Sequence, residues 1–551
     1  MITREFNHES ILVATLGAFL SLIGFSMLFP LGISKITVEA KGSFELPLVR
    51  PADLIKSKIV PEHENDDNWT QINHDIYGTR SSNQTTISKD NVGKLQIKWV
   101  LYNQYEIQDP PIIVGQRGYV QDYVGNIIAF DTSNGTKLWN TRPGNGPTMG
   151  LIFDKGIIFA STASDSKIVA INATDGKLIW KSRILGDPLL GYSIDAAPMV
   201  WKDFVIAGSG GSGLPPGLGM VKGNITALNR TDGKIIWNID TTTGDWVSPE
   251  KTPPNGGATA WSGGSLDPQS DILYVPLGSA SPNFNASTRL TPNLYSNQVM
   301  AVNGTNGKII WTTPFIAHGT VLNVSVPDTH DWDTSWGTSV SQITTDSNQQ
   351  RKFVIGHDKM GNVIAMDAST GKEIWWKELG IRYNASSIPA PNGSGTIWAY
   401  GVYNYHAVDN DTVYIPATNN FFTDGISGHK VAPPHTIEQG LRNGTIFALE
   451  LATGNVKWKF EIKFPPRVSP IVTDSILFCG YIPFTDKAKS GVILALDKES
   501  GRKLWEYNTN APIGPVGPSI GNGMLFVPTG KVQGMSNEVK HGGSIIAFGL
   551  P

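Results

Sequence analysis

Across residues 362–375, NVIAMDASTGKEIW, side chains alternate: Val363, Ala365 and Asp367 fall on one side of an extended chain, Ile364 and Met366 on the other. A polar turn from Asp367 to Gly371 follows, and a second run ends in Trp375. Alternation broken by a polar turn that ends in glycine predicts a β-hairpin. Glycine supplies the positive φ of a bulged turn, and Asp, Ser and Thr bond their own backbone two residues on. The pattern recurs as NIIAFDTSNGTKLW ending at Trp139, KIVAINATDGKLIW at Trp180, NITALNRTDGKIIW at Trp237, QVMAVNGTNGKIIW at Trp311, TIFALELATGNVKW at Trp458 and VILALDKESGRKLW at Trp505. Such copies predict a repeat architecture in which no unit buries its faces alone, and four-stranded units with Gly-aromatic turns predict a β-propeller. An eighth copy is split: SIIAFGLP near the C-terminus supplies its first half, and GKLQIKW, ending at Trp99, its second. The reading is all-β, an eight-bladed β-propeller spanning 68–551, closed by the last strand pairing with the first.

Composition agrees with many turns joining short buried strands: 59 glycines and 35 prolines against 17% charged residues. A net charge of −3 without a basic run excludes nucleic acid as a partner. Cys479 is the single cysteine, so there is no internal disulfide, and no CxxCH attaches a haem. Within ILFCG it reads as a buried, small apolar side chain.

Residues 11–33 carry no charge and are long enough to cross a ~30 Å hydrocarbon layer as a helix. The segment 1–33 is read as an uncleaved membrane anchor rather than a signal peptide, with 34–67 as a stalk. Thirteen Asn-x-Ser/Thr triplets, Asn134, Asn172, Asn229 and Asn303 among them, are read as glycosylation acceptors that place the propeller outside the cell membrane. The competing reading is that Asn and Thr are simply good turn residues. Long departures from the repeat fall at 208–223, 246–257, 279–297, 316–336, 381–400 and 419–442, and are expected to extend loops on one face, where binding groups collect.

The DxxTGKxxW hairpins, the opening NWTQINHDIYGTRSSNQTTISKDNVGKLQIKW and the central GGATAWSGGSLDPQSDILYVPLGSASPNFN resemble the pyrroloquinoline quinone (PQQ)-dependent alcohol dehydrogenases over essentially all of 68–551. The resemblance implies a flat, polyanionic quinone on an aromatic platform, with cationic groups, a metal Lewis acid and a base that takes the alcohol proton. It implies that Trp261, in GGATAWSGG, stacks under the quinone; that Asp333, in THDWDTSW, is the catalytic carboxylate; and that Lys359, in GHDKMGN, is the cation near the quinone C5 oxygen. Lysine there, with the short HDWD form, is similar to the polyvinyl-alcohol dehydrogenase branch.

Several positions depart from the family. Its metal-ligand Glu has no counterpart in GSGGSGLPPGLGMVKG, its metal-ligand Asn is Ser281, with Asn283 as a substitute, and a Glu near the cofactor carboxylates is Gln108. Ser335 stands where lanthanide users carry a second carboxylate. Asp195, in SIDAAP, is a spare carboxylate that could approach the pocket. Ca²⁺ wants six or more oxygens, so Asp333, Ser281 and Asn283 make an incomplete site. Each residue has a plainer reading: Trp261 as core, Asp333 as a turn carboxylate, Lys359 as a solvated lysine.

The expectation is a PQQ-dependent dehydrogenase that oxidises an alcohol or polyol and passes electrons to a separate acceptor, such as a cytochrome or copper protein. The alternative is a non-catalytic propeller that binds protein or glycan at the cell surface.

Overall fold

The computed structural model describes residues 68–551 apart from 147–149, 211–222, 242–257, 279–294, 316–336, 345–349, 360, 380–394, 399–400, 419–421, 426–427, 432–442, 484–489, 510 and 531–541. Eight antiparallel sheets follow one another along the chain, each a meander of adjacent strands. Blades 1 to 7 begin at Ile112–Val114, Leu151–Asp154, Met199–Trp201, Ser265–Asp267, Ser339–Thr344, Gly401–Val402 and Val468–Val472. Blade 8 begins at Ser519–Gly521 and takes its outermost strand, Gln96–Tyr102, from the other end of the sequence, paired to Ser544–Gly549. The split eighth copy is thereby reunited, and the ring closes as expected.

Each repeat hairpin forms the third and fourth strands of its blade, and its alanine faces its tryptophan. Ala129 pairs with Trp139, Ala365 with Trp375 and Ala495 with Trp505, each followed by a register shift. In blade 8 the same pair is Ala547 with Trp99. The small residue leaves room for the indole to lean onto the next blade, where in six of the eight blades its N–H donates to a turn carbonyl. Trp99 reaches Thr132 at 2.9 Å, Trp180 reaches Arg230 at 2.9 Å, Trp311 reaches Ala368 at 3.1 Å and Trp375 reaches Leu451 at 2.7 Å.

The turn glycine of that next blade lies flat on the ring. At Gly371, where φ is +70°, an added Cβ would stand 2.5 Å from the Trp311 ring. Backbone strain and a blocked docking surface act together, so Gly371→Ala is expected to lower stability by about 1–3 kcal/mol. An unchanged midpoint in a thermal melt would contradict this use of the tryptophan.

A belt of chain, residues 69–82, runs along the inner strands. Trp69 exchanges backbone bonds with Ile113 of blade 1. The Thr70 carbonyl accepts from Phe153, Ile76 from Leu266, Tyr77 from Val340 and Thr79 from Val408, and Ser82 donates to Val472. Arg80, 0% exposed, sits within this belt and donates to the carbonyls of Pro470 at 2.8 Å, Val516 at 2.7 Å and Ile72 at 2.9 Å. Its guanidinium also lies over the rings of Trp69 and Tyr405. One side chain thus ties blades 7 and 8 to the opening segment.

Because the strands alternate, connections between blades and those between second and third strands leave the ring at one end. The departures from the repeat all occupy these two kinds of connection, as expected for loops on one face. Two of them contribute a small three-stranded sheet, Gly395–Trp398, Phe422–Gly425 and Gly428–Val431. Cys479 is buried in Ile476–Tyr481, and burial pushes its thiol pKa up.

Two expectations require correction. The localisation in a cell membrane through a single-pass helix has no support: among the described residues no helix is long and apolar enough to cross a membrane. Helix there is confined to three-residue 3-10 turns, and the span 11–33 lies outside the described residues. The triplets do not carry an extracellular placement either. In the repeat turns the Asn side chain accepts from the amide two residues on: Asn134 from Thr136 at 2.8 Å, Asn172 from Thr174 at 2.8 Å, Asn229 from Thr231 at 2.8 Å and Asn303 from Thr305 at 3.1 Å. Turn chemistry accounts for Asn-x-Thr at these sites without sugar.

Candidate functional site

Lys359 projects from a turn joining the second and third strands of blade 5. Asp358 builds that turn: its carboxylate accepts from the Asn362 amide at 2.9 Å and from the Asn362 side chain at 2.6 Å. Gly361, at φ +87°, allows the chain to reverse where a Cβ would strike the Leu379 carbonyl. Trp376 donates to Asn362 at 3.1 Å from the neighbouring strand. The same Asp-x-x-Gly-Asn turn recurs in blade 1, where the Asp122 carboxylate accepts from Asn126 at 2.9 and 2.7 Å, and there it presents Tyr123. One local device therefore offers different side chains at the same end of the ring, and the residue after the Asp carries the difference.

Trp261 lies in the connection entering blade 4. Its lead-in is clipped to blades 3 and 4: Thr241 donates to the Ala258 carbonyl at 2.5 Å, and the Gly278 amide donates to Thr259 at 2.8 Å. The Lys359 ammonium stands 5.1 Å from the Trp261 ring centroid. Two residues read as cofactor contacts, 98 positions apart, therefore meet.

A second aromatic, not expected from the sequence, completes this corner. In blade 6 the innermost strand is interrupted. Gly401–Val402 and Ala407–Asp409 both pair with Thr412–Thr418, and residues 403–406 bulge out between them. All four are buried. The Tyr403 ring lies 5.8 Å from the Lys359 ammonium and 4.2 Å from the Arg467 guanidinium carbon. Asn404 donates to the Pro515 carbonyl at 2.6 Å. Tyr405 lies over Arg80, with Gly337 packed on its ring. His406 bonds His357 at 3.0 Å and Ser339 at 2.6 Å.

Burial holds both histidines in their neutral form, His406 pulled down to about 3 with the Arg80 charge adding to the effect, and His357 lowered further by its neighbour. The pair serves as a rigid neutral strut between blades 5 and 6, directly behind the Lys359 turn.

The remaining expected residues are placed elsewhere. Gln108 is half-buried, its carbonyl pressed against Gly514, whereas the adjacent Asp109 is 4% exposed and burial raises its carboxyl pKa well above the usual range. Burial raises the Tyr405 pKa, with the Arg80 charge opposing and Asp109 adding to the rise. Asp195 accepts from Ser193 at 3.1 Å and, with Glu106, raises the pKa of Tyr123 after burial. Carboxylates thus gather around Tyr123, while cations and aromatics gather on blades 4 to 7. Asp333, Ser281 and Asn283 lie outside the described residues, and among the described residues no three His, Cys, Asp or Glu side chains converge as metal ligands. A cleft between blades 4 and 5 contains the Lys352–Asp267 ion pair, at 2.7 Å, and belongs to the packing between those blades.

The corner of Trp261, Lys359, Tyr403 and Arg467 fits a planar anion: an indole for its face and two cations for its charge. Sequence reasoning missed Tyr403 and Arg467. Their signals are a break in alternation, YNYH just ahead of an inner strand, and the rigid FPPR ahead of the next.

The family description "Glucose/ethanol/alcohol dehydrogenase, beta-propeller domain" matches residues 186–378, and "Outer membrane protein assembly factor BamB" matches 108–250 and 398–542. The chain is 24% identical to a putative dehydrogenase XoxF of Paracoccus denitrificans, over 84% of this chain and 85% of that one. It is 25% identical to the quinohemoprotein alcohol dehydrogenase ADH IIB of Pseudomonas putida, over 78% and 68%. Among solved structures, the Pseudomonas putida quinohemoprotein alcohol dehydrogenase ADHIIG superposes with a TM-score of 0.70 at 19% identity, covering 89% of this chain and 81% of that one. A europium-containing methanol dehydrogenase superposes at 0.69 and 18% identity, covering 89% and 100%. These relatives do not place the chain in the polyvinyl-alcohol dehydrogenase branch. Repeat, closure and matches together show that the chain belongs to the PQQ-dependent alcohol dehydrogenase-like family of eight-bladed β-propellers.

Proposed function

We propose that this protein is a PQQ-dependent dehydrogenase that oxidises an alcohol or polyol and hands the electrons to a separate acceptor. The observation that carries the reading is the Lys359 ammonium over the Trp261 ring at 5.1 Å, at the loop-bearing end of the ring. The relatives named as quinohemoprotein and methanol dehydrogenases support it. Bound PQQ supplies a two-electron quinone that accepts hydride from the alcohol carbon. The chain contributes the rest. Trp261 offers a flat face that fixes the plane of the ring. Lys359, 8% exposed and backed by the Asp358 turn, holds positive charge where water is scarce, and there it stabilises negative charge more than a solvated lysine would. Asp333 is proposed as the base that takes the alcohol proton, and Asp333, Ser281 and Asn283 as the oxygens for a calcium ion. A cytochrome or copper protein is proposed as the separate electron acceptor.

The test is reconstitution with PQQ and Ca²⁺, then dye reduction with short alcohols, polyols and sugars. Turnover is expected with at least one of them, with Asp333→Asn lowering kcat by about 10²–10⁴-fold, the usual contribution of a general base. Retained PQQ with no turnover on any alcohol class would contradict the enzyme reading and favour a non-catalytic binding propeller.

A further inference from the structure

The fold holds Arg467 in a fixed place at the entry to blade 7. Pro465 and Pro466 lead into it, the Arg467 amide closes back on the Pro465 carbonyl at 2.8 Å, and the Pro466 ring is packed where a Cβ on Gly444 would meet it at 2.2 Å. Two prolines in sequence leave the backbone little freedom, so the guanidinium is presented at low entropic cost. It stacks on Tyr403 with 4.2 Å between its carbon and the ring centroid. The Lys359 ammonium also approaches that ring, at 5.8 Å.

Two cations sharing one buried phenol ring raise each other's electrostatic cost. Burial pulls the Arg467 pKa down, and Tyr403 opposes the shift by charge and hydrogen bonding. Lys359 and Tyr403 are each 8% exposed, whereas Arg467 and Trp261 are partly exposed. Trp261 can therefore meet a ligand directly, and Arg467 through the part of its side chain other than the buried Nη1. A guanidinium offers a planar fork of donors that matches a carboxylate, which an ammonium does not.

We propose that Arg467 is the specificity-determining residue of this pocket. With Lys359 as the second cation, it selects planar aromatic ligands that carry two or more carboxylates over uncharged ligands of the same shape. The inference rests on the PQQ reading of the site and adds to it a residue from blade 7 that sorts ligands by charge.

Binding, read by tryptophan fluorescence quenching and by calorimetry without any alcohol, tests it with two probes: PQQ and its trimethyl ester, which keeps the tricycle and loses the acid charge. Wild type is expected to bind PQQ more tightly than the ester. Arg467→Gln is expected to weaken PQQ by about 10–100-fold, the range for losing one charge-assisted hydrogen bond pair, and to leave the ester unchanged. Arg467→Lys, which keeps the charge and the melt, should recover only part of the loss. Equal weakening of both probes would mean a packing role and would overturn the proposal, as would unchanged PQQ affinity in Arg467→Gln; in either case the PQQ reading survives. Failure of wild type to bind either probe would remove the reading itself and this inference with it.

Discussion

Cut after residue 543, the chain is expected to lose its cooperative thermal transition and to elute as aggregate. The missing strand, Ser544–Gly549, is the third of blade 8 and stands between Met524–Thr529 and Gln96–Tyr102. Without it two ladders vanish, and both flanking strands present unpaired backbone to solvent. Ile545, Ala547 and Phe548 are each 0% exposed, and Phe548 meets Trp505 at 5.5 Å and Tyr507 at 4.9 Å. Burying one such large apolar side chain contributes about 1.5–3 kcal/mol. Two of them, with the ladder bonds and the Ala547–Trp99 pair, approach the whole stability of an ordinary domain, about 5–15 kcal/mol. Trp505 feels the loss most, because no intact turn follows it and Phe548 packs edge-on against its ring. A truncated chain that melted as one transition within a few degrees of the full-length protein would show that the ring does not depend on this closure.

Trp261→Ala is expected to abolish PQQ retention while leaving the fold intact. The indole is partly exposed in a loop-end connection, whereas the eight Ala–Trp pairs that hold the blades lie elsewhere. Its removal therefore costs little stability. For the ligand the consequence is large. A flat tricycle loses the face it lies on, and Lys359 loses the ring that it is stacked over at 5.1 Å. Deleting a buried aromatic anchor of this kind weakens binding by about 2–4 kcal/mol, or roughly 30–1,000-fold. Trp261→Phe, which keeps a smaller face, should lie between. Wild-type affinity in Trp261→Ala, with an unaltered melt, would contradict the platform.

The repeat made the fold legible. Alternation, a turn glycine and a terminal tryptophan mark the seven complete copies, and seven of the eight tryptophans dock on the turn glycine of the following blade, so the docking rule is written into the repeat. The split eighth copy even revealed which strands close the ring. The site was legible only in part. Trp261 and Lys359 are legible through the family resemblance of GGATAWSGG and GHDKMGN, and the structure brings them together. Tyr403 and Arg467 were not readable, since their meeting depends on a four-residue bulge in one strand and a proline-stiffened entry to the next. Neither feature has a period. Arg80 was equally hidden, because a buried guanidinium bonded to carbonyls of distant blades leaves no local pattern. The Asn-x-Thr triplets of the repeat turns have a source in turn chemistry, because their Asn accepts the amide two residues on and the hairpin is repeated.

The central claim is that a planar anion lies between Trp261 and the cations of blades 5 and 7. A crystal structure of the protein soaked with PQQ tests it most directly. The account predicts the tricycle on the Trp261 face with its acid groups turned toward Lys359 and Arg467. PQQ bound on another surface of the ring, or no bound PQQ at saturating concentration, would contradict it.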